Sequence, residues 1–129
     1  MKVLVLSNGE LRETEIGNEL EDLQKIVGGY IEIPFLGDKF RDNNIDVIIN
    51  EEGKLIEGMI AEIAIVDEKQ GRILDVVYGN CIFASHDEAG ETIGLTEEQI
   101  EFVKEELETV IELMNKRTLE GFEVRVLFI

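Results

Sequence analysis

Apolar residues open the chain as a compact run and recur with two different periods before its end. Lys2 to Leu6 is a short block of Val and Leu, which predicts a strand covered on both faces. Ser7-Asn8-Gly9-Glu10 supplies turn chemistry, and Leu11 to Ile16 is expected to return as a second, more polar strand. A short helix follows, with Asn18 as its predicted N-cap and Glu21 reaching back to it. Leu20, Leu23 and Val27 share one face of that helix, and Gly28-Gly29 stops it.

Alternation then takes over. Ile31, Ile33 and Phe35 point one way and Tyr30 and Glu32 the other, a half-buried strand that Pro34 places at an edge or a terminus. Leu36 to Asn44 is polar and turn-rich and is expected to be a loop. Ile45, Val47 and Ile49 resume the alternation, and Glu51-Glu52-Gly53 turns into Lys54 to Ile56. Gly58 to Val66 suits helix or strand by period; its Ile and Val content and the Asp67 to Gly71 turn favour strand. Arg72 to Ser85 is expected to be one long strand bulged at Gly79-Asn80.

The last third carries a capping box, Thr96-Glu97-Glu98-Gln99. Behind it Ile100, Val103, Leu107, Val110, Ile111 and Met114 form a stripe at spacings of three and four. That predicts an amphipathic helix of about 19 residues. Phe122, Val124, Val126 and Phe128 alternate with Glu123, Arg125 and Leu127 as a closing strand over 121–128. The expected fold is α+β: one domain over 1–129, a mostly antiparallel curved sheet of about six strands, packed by one short and one long amphipathic helix.

Charge changes this picture more than any motif. The chain has 29 Asp and Glu against 12 Lys and Arg, a net charge of −17 over 129 residues. Such an imbalance in an apolar-poor chain would mean disorder. Here 47 of 129 residues are Leu, Ile, Val or Phe, enough to build a core. The charge is therefore spread over a folded surface, where it repels nucleic acid and anionic membrane and attracts cationic partners. The single cysteine, Cys81, excludes an internal disulfide and fits a reducing compartment. The N-terminal apolar run is too short for a signal peptide, and no run approaches the ~18 residues of a membrane span. The expected location is the cytoplasm.

Reactive constellations are scarce. Cys81 and His86 lie five residues apart and point to opposite faces, which reads as a core cysteine and a surface histidine in the loop before Asp87. No zinc motif is present, and His86-Asp87-Glu88-Ala89-Gly90-Glu91-Thr92 lacks the spacing of a Ca²⁺ loop. No enzyme, metal or cofactor is expected. A small nucleotide at an oligomer interface would need local cations, for which Lys39 and Arg41 are the candidates. Glu98, Glu101, Glu105, Glu108 and Glu112 run at spacings of three and four along the predicted long helix, broken by Lys104, which can pair with Glu101 and Glu108. A row of carboxylates along ~20 Å of helix resembles a row of phosphates. The plainer interpretation is that every amphipathic helix needs a solvated face.

From Met1 to about Leu113 the chain resembles a family catalogued as domain of unknown function 3846, common in bacteriophages and mobile elements. The resemblance rests on Leu23-Gln24-Lys25-Ile26-Val27-Gly28-Gly29-Tyr30-Ile31-Glu32, Asn50-Glu51-Glu52-Gly53-Lys54-Leu55, Asp75-Val76-Val77-Tyr78-Gly79-Asn80-Cys81-Ile82-Phe83 and Leu95-Thr96-Glu97-Glu98-Gln99-Ile100. It implies a phage or mobile-element setting and supplies no activity. The expectation is an accessory binding protein that meets a basic host protein, a nucleic-acid-binding defence factor of restriction or CRISPR type, by charge mimicry. It would act in the host cytoplasm through Glu98, Glu101, Glu105, Glu108 and Glu112, without binding nucleic acid itself. The alternatives are a homo-oligomeric small-ligand binder, such as a nucleotide-signal sponge, and a domain whose acidity serves no mimicry.

Overall fold

The Val- and Leu-rich opening becomes β1 (Lys2–Ser7), which hairpins through Asn8-Gly9 into β2 (Glu10–Glu15). Asn8 and Gly9 have φ of 52° and 80°, the left-handed pair that a tight two-residue hairpin requires. The computed structural model describes Met1–Ile129. Beyond β2 come α1 (Leu20–Val27), β3 (Ile31–Glu32), α2 (Asp38–Asp42), β4 (Ile45–Asn50), a 3-10 turn (Gly53–Leu55), β5 (Ala61–Val66), β6 (Ile73–Tyr78) and β7 (Cys81–His86). The chain continues through β8 (Thr92–Ile93), α3 (Glu97–Glu106), β9 (Val110–Met114) and β10 (Gly121–Phe128).

The α+β class stands, but its strands divide into two sheets. One runs β2-β1-β7-β4-β3, with β8 beside β7; the other runs β6-β5-β10-β9. All pairings are antiparallel except β5 with β10, which is parallel. The main core lies between the sheets. Leu4, Leu6, Cys81, Phe83, Ile45 and Val47 face Ile63, Ile65, Val77 and Leu127, with Phe40 of α2, Ile100 and Val103 of α3 and Leu107 just after it closing the sides. Phe83 meets Phe40 edge-on at 6.1 Å between ring centroids. The first sheet's other face takes α1: Leu23 and Val27 pack on Val3, Ile48, Ile82 and Ala84. The second sheet's other face is a cluster of its own side chains, Ala64, Val66, Val124 and Val126, bordered by Ile111, Leu113 and Phe128.

Several expectations are corrected. The predicted 19-residue helix ends after Glu106, and its second half is β9. Thr109-Val110-Ile111 is β-branched, and β10 offers a partner strand from Gly121–Met114 to Arg125–Val110, so pairing overrides the helical stripe. The Leu107 carbonyl, unpaired by the helix's end, accepts from Arg125 Nη1 at 2.9 Å. Gly79-Asn80 is a crossover between sheets rather than a bulge, since β6 pairs β5 whereas β7 pairs β1 and β4. The predicted 36–44 loop contains α2, pinned by buried Phe40. The strand around Pro34 shrinks to Ile31–Glu32. α1 begins one residue late, because Asp22 Oδ2 accepts from the Glu19 amide at 3.1 Å and leaves Asn18 outside.

The Thr96 capping box forms as expected: Thr96 Oγ1 accepts from the Gln99 amide at 3.2 Å, and Gln99 Oε1 accepts from the Thr96 amide at 2.9 Å. Gln99 Nε2 also donates to the Asn43 carbonyl at 3.0 Å, tying α3 to the loop before β4. Thr96→Ala is expected to cost ~1 kcal/mol, seen as a lower urea midpoint at unchanged m value.

Candidate acidic interface

The structure keeps part of the predicted Glu row and adds acids that the sequence pattern did not reveal. Glu98, Glu101 and Glu105 are exposed on α3. Glu108 is exposed in the turn after it. Glu112 is elsewhere, on β9, directly opposite Glu123 of β10 and over Gly121. The five-residue stripe is therefore three residues on a helix, one in a turn and one on another sheet.

What replaces the lost half is β2. Its register puts Glu15 opposite Lys2 and Glu13 opposite Leu4. Leu4 points into the main core, beneath α3, so Glu13 and Glu15 emerge on that same side. Two lysines stand between strand and helix. Lys2 Nζ meets Glu97 Oε1 at 3.3 Å, and Lys104 lies 3.9 Å from Glu101 and 4.0 Å from Glu13. The expected pairing of Lys104 with Glu101 is present; its second partner is Glu13, not Glu108. Glu97's hydrogen bond and charge, with the charges of Glu13 and Glu15, hold the Lys2 ammonium above its ordinary range. The surface thus sets Glu13, Glu15, Glu97, Glu98, Glu101, Glu105 and Glu108 against three cations, Lys2, Lys104 and the N-terminal ammonium, which lies 3.6 Å from Glu15. The sequence signal for the strand's share was the polar alternation of β2, legible only once its partner face was known.

Lys39 and Arg41, the predicted cations for a nucleotide, are neutralised. Lys39 lies 3.7 Å from Glu68 and 3.9 Å from Glu106, and Arg41 pairs with Asp38 and Asp42 while its guanidinium sits over Phe35. Cys81 is buried in the main core, and burial, with the charge of Glu62 behind it, pushes its thiol far up, so it is no thiolate nucleophile. His86 ends β7 rather than standing in the loop after it. It is half-exposed, with Nδ1 2.8 Å from Asp46 Oδ2, and extends the face opposite Cys81. That contact orients the imidazole, a pairing the sequence did not suggest, since Asp46 lies forty residues away.

Three of the four blocks that carried the family resemblance converge on one junction. Gly28 caps α1 with φ 83°, and the freed carbonyls of Ile26 and Val27 accept from Asn80 Nδ2 at 2.9 Å and Asn50 Nδ2 at 3.1 Å. Asn50 Oδ1 in turn accepts from the Glu52 amide at 2.7 Å. Gly53 is needed because a Cβ there would stand 2.6 Å from the Tyr78 carbonyl oxygen. Three sequence blocks thus form one structural knot where α1, β4 and the β6–β7 crossover meet.

The fold and surface define a two-sheet α+β protein with a strongly acidic face. The family model described as Domain of unknown function (DUF3846) matches residues 1–108, and the chain belongs to that family. No curated protein and no solved structure matches it. No helix is long and apolar enough to cross a membrane.

Proposed function

We propose that the protein is a binding protein whose α3–β2 face occupies a cationic, nucleic-acid-binding surface on a partner. The observation that carries this reading is the gathering of seven carboxylates on α3, the turn after it and β2 against three cations, Lys2, Lys104 and the N-terminal ammonium, on a chain of net charge −17. A helix face alone needs solvation and nothing more; a helix and a neighbouring strand edge of the same sign make a two-dimensional field. Such a field speeds association with a basic surface and disfavours wrong partners by like-charge repulsion. The partner class that fits is a host defence factor that grips DNA or RNA, met by an accessory protein of a phage or mobile element.

The test begins with capture of partners from host lysate at low salt, followed by a wash at ~0.5 M salt, where the Debye length falls below ~5 Å. A dominant nucleic-acid-binding partner, released by salt and by competing duplex DNA, is expected. Glu98→Lys/Glu101→Lys/Glu105→Lys should then weaken that complex at least tenfold without changing the circular dichroism spectrum, while Glu112→Lys, on the other sheet, should not. Undiminished affinity in the triple variant would sink the acidic face as the contact surface.

A further inference from the structure

Positive charge is scarce on this chain, and three of its 12 Lys and Arg residues line one cleft. The cleft, about 880 Å³, lies between the loop following β4 and the turn joining β9 to β10. Lys54 stands on the first wall, Lys116 and Arg117 on the second, and Glu120 is the only carboxylate in the lining. Lys54 is already paired with Asp75. Lys116 and Arg117 take part in none of the chain's ion pairs. Between these rims the lining includes Tyr78, Phe122 and Met59.

We infer that this cleft binds a mononucleotide. Two free cations on one rim suit a phosphate, which an Arg fork and a Lys point charge hold together. An aromatic and thioether lining suits a flat base, which stacks on rings and packs against a polarisable sulfur. The volume lies in the range of small-molecule sites. Net charge sets the number of phosphates: on a chain of −17, each added phosphate meets further repulsion, while only two unpaired cations are present to offset it. The site is also a joint product of the chain. Gly53, Met59 and Tyr78 belong to or border the family-matched junction, whereas Lys116, Arg117 and Phe122 lie beyond residue 108, outside the family match. This chain therefore has a binding wall that the matched region does not supply.

The experiment is a titration of the full-length ¹⁵N-labelled chain with adenosine monophosphate, in parallel with adenosine and with inorganic phosphate. Saturable amide shifts confined to residues 53–60, 78 and 114–122 are expected, with both fragments weaker than the nucleotide. Lys116→Glu/Arg117→Glu, two exposed positions in a turn, should raise the dissociation constant at least tenfold. The α3 triple Lys variant should bind the nucleotide as the wild type does, which separates this inference from the proposed partner surface. No saturable shift at millimolar nucleotide, shifts centred elsewhere, or undiminished affinity in the double variant would overturn it.

Discussion

A chain ending at Glu108, the limit of the family match, is expected not to fold cooperatively. The segment beyond it supplies Leu127 to the main core and Val124 and Val126 to the second sheet, all at most 3% exposed. Burial of each is worth about 1.5–3 kcal/mol, so their joint loss is comparable to the whole stability of a typical domain, about 5–15 kcal/mol. The truncation also strips β5 of its β10 partner and opens the Ile63–Val66 edge. Urea unfolding should lose its sigmoidal transition, and the fragment should bind a hydrophobic dye or aggregate. A monodisperse fragment with a cooperative transition would show that the second sheet stands on β5 and β6 alone.

Arg125→Ala is expected to cost about 3 kcal/mol at neutral pH, because one guanidinium ties three segments together. Its Nη1 donates to the Leu107 carbonyl at 2.9 Å, and its Nε and Nη2 donate to the Gly9 carbonyl at 3.3 and 3.1 Å. It also supplies the positive charge near Glu62, which is only 2% exposed and accepts from the Gly9 amide at 2.9 Å. Burial raises the Glu62 carboxyl above its ordinary range, against the pull of the Gly9 amide, the Arg125 charge and the Asn8 amide. A raised carboxyl binds its proton more tightly when folded. Its stabilising contribution is therefore complete below the unfolded pKa and is lost as pH rises through the folded one. Without Arg125 the carboxyl should rise further, and unfolding free energy should fall more steeply with pH above ~4.5. Adding Glu62→Gln, which keeps an acceptor for Gly9, should flatten that slope and return part of the loss. If Arg125→Ala shows the same pH slope as the wild type, Glu62 is not coupled to it.

Local chemistry was legible wherever one segment determined its own geometry. The Asn8-Gly9 hairpin, the Gly28 cap, the Thr96–Gln99 box and the alternation of 121–128 all needed no distant partner. What escaped was decided by contacts far along the chain. Val110, Ile111 and Met114 continue a helical stripe in one dimension, yet β10 draws them into a strand. Gly79-Asn80 looks like a bulge until β5 and β1 claim the strands on either side of it. The candidate surface followed the same rule. Glu98, Glu101 and Glu105 were readable from helical spacing, Glu108 stays on the face from the turn after α3, Glu112 was lost to β9, and Glu13 and Glu15 joined only through the β1–β2 register beneath α3.

The parallel seam between β5 and β10 imposes an order of events during synthesis. β5 can close on β6 as soon as both have left the ribosome, but Ile63 must wait for Arg125 on its other side. From Tyr78, the end of β6, to Arg125, at 5–20 residues per second, that interval is roughly 2–9 s. For those seconds the nascent chain displays an Ala-Glu-Ile-Ala-Ile-Val strand with one open edge and a single charge. Neighbouring chains on a polysome display the same strand, so until β10 is made the open β5 edge can pair with a copy of itself.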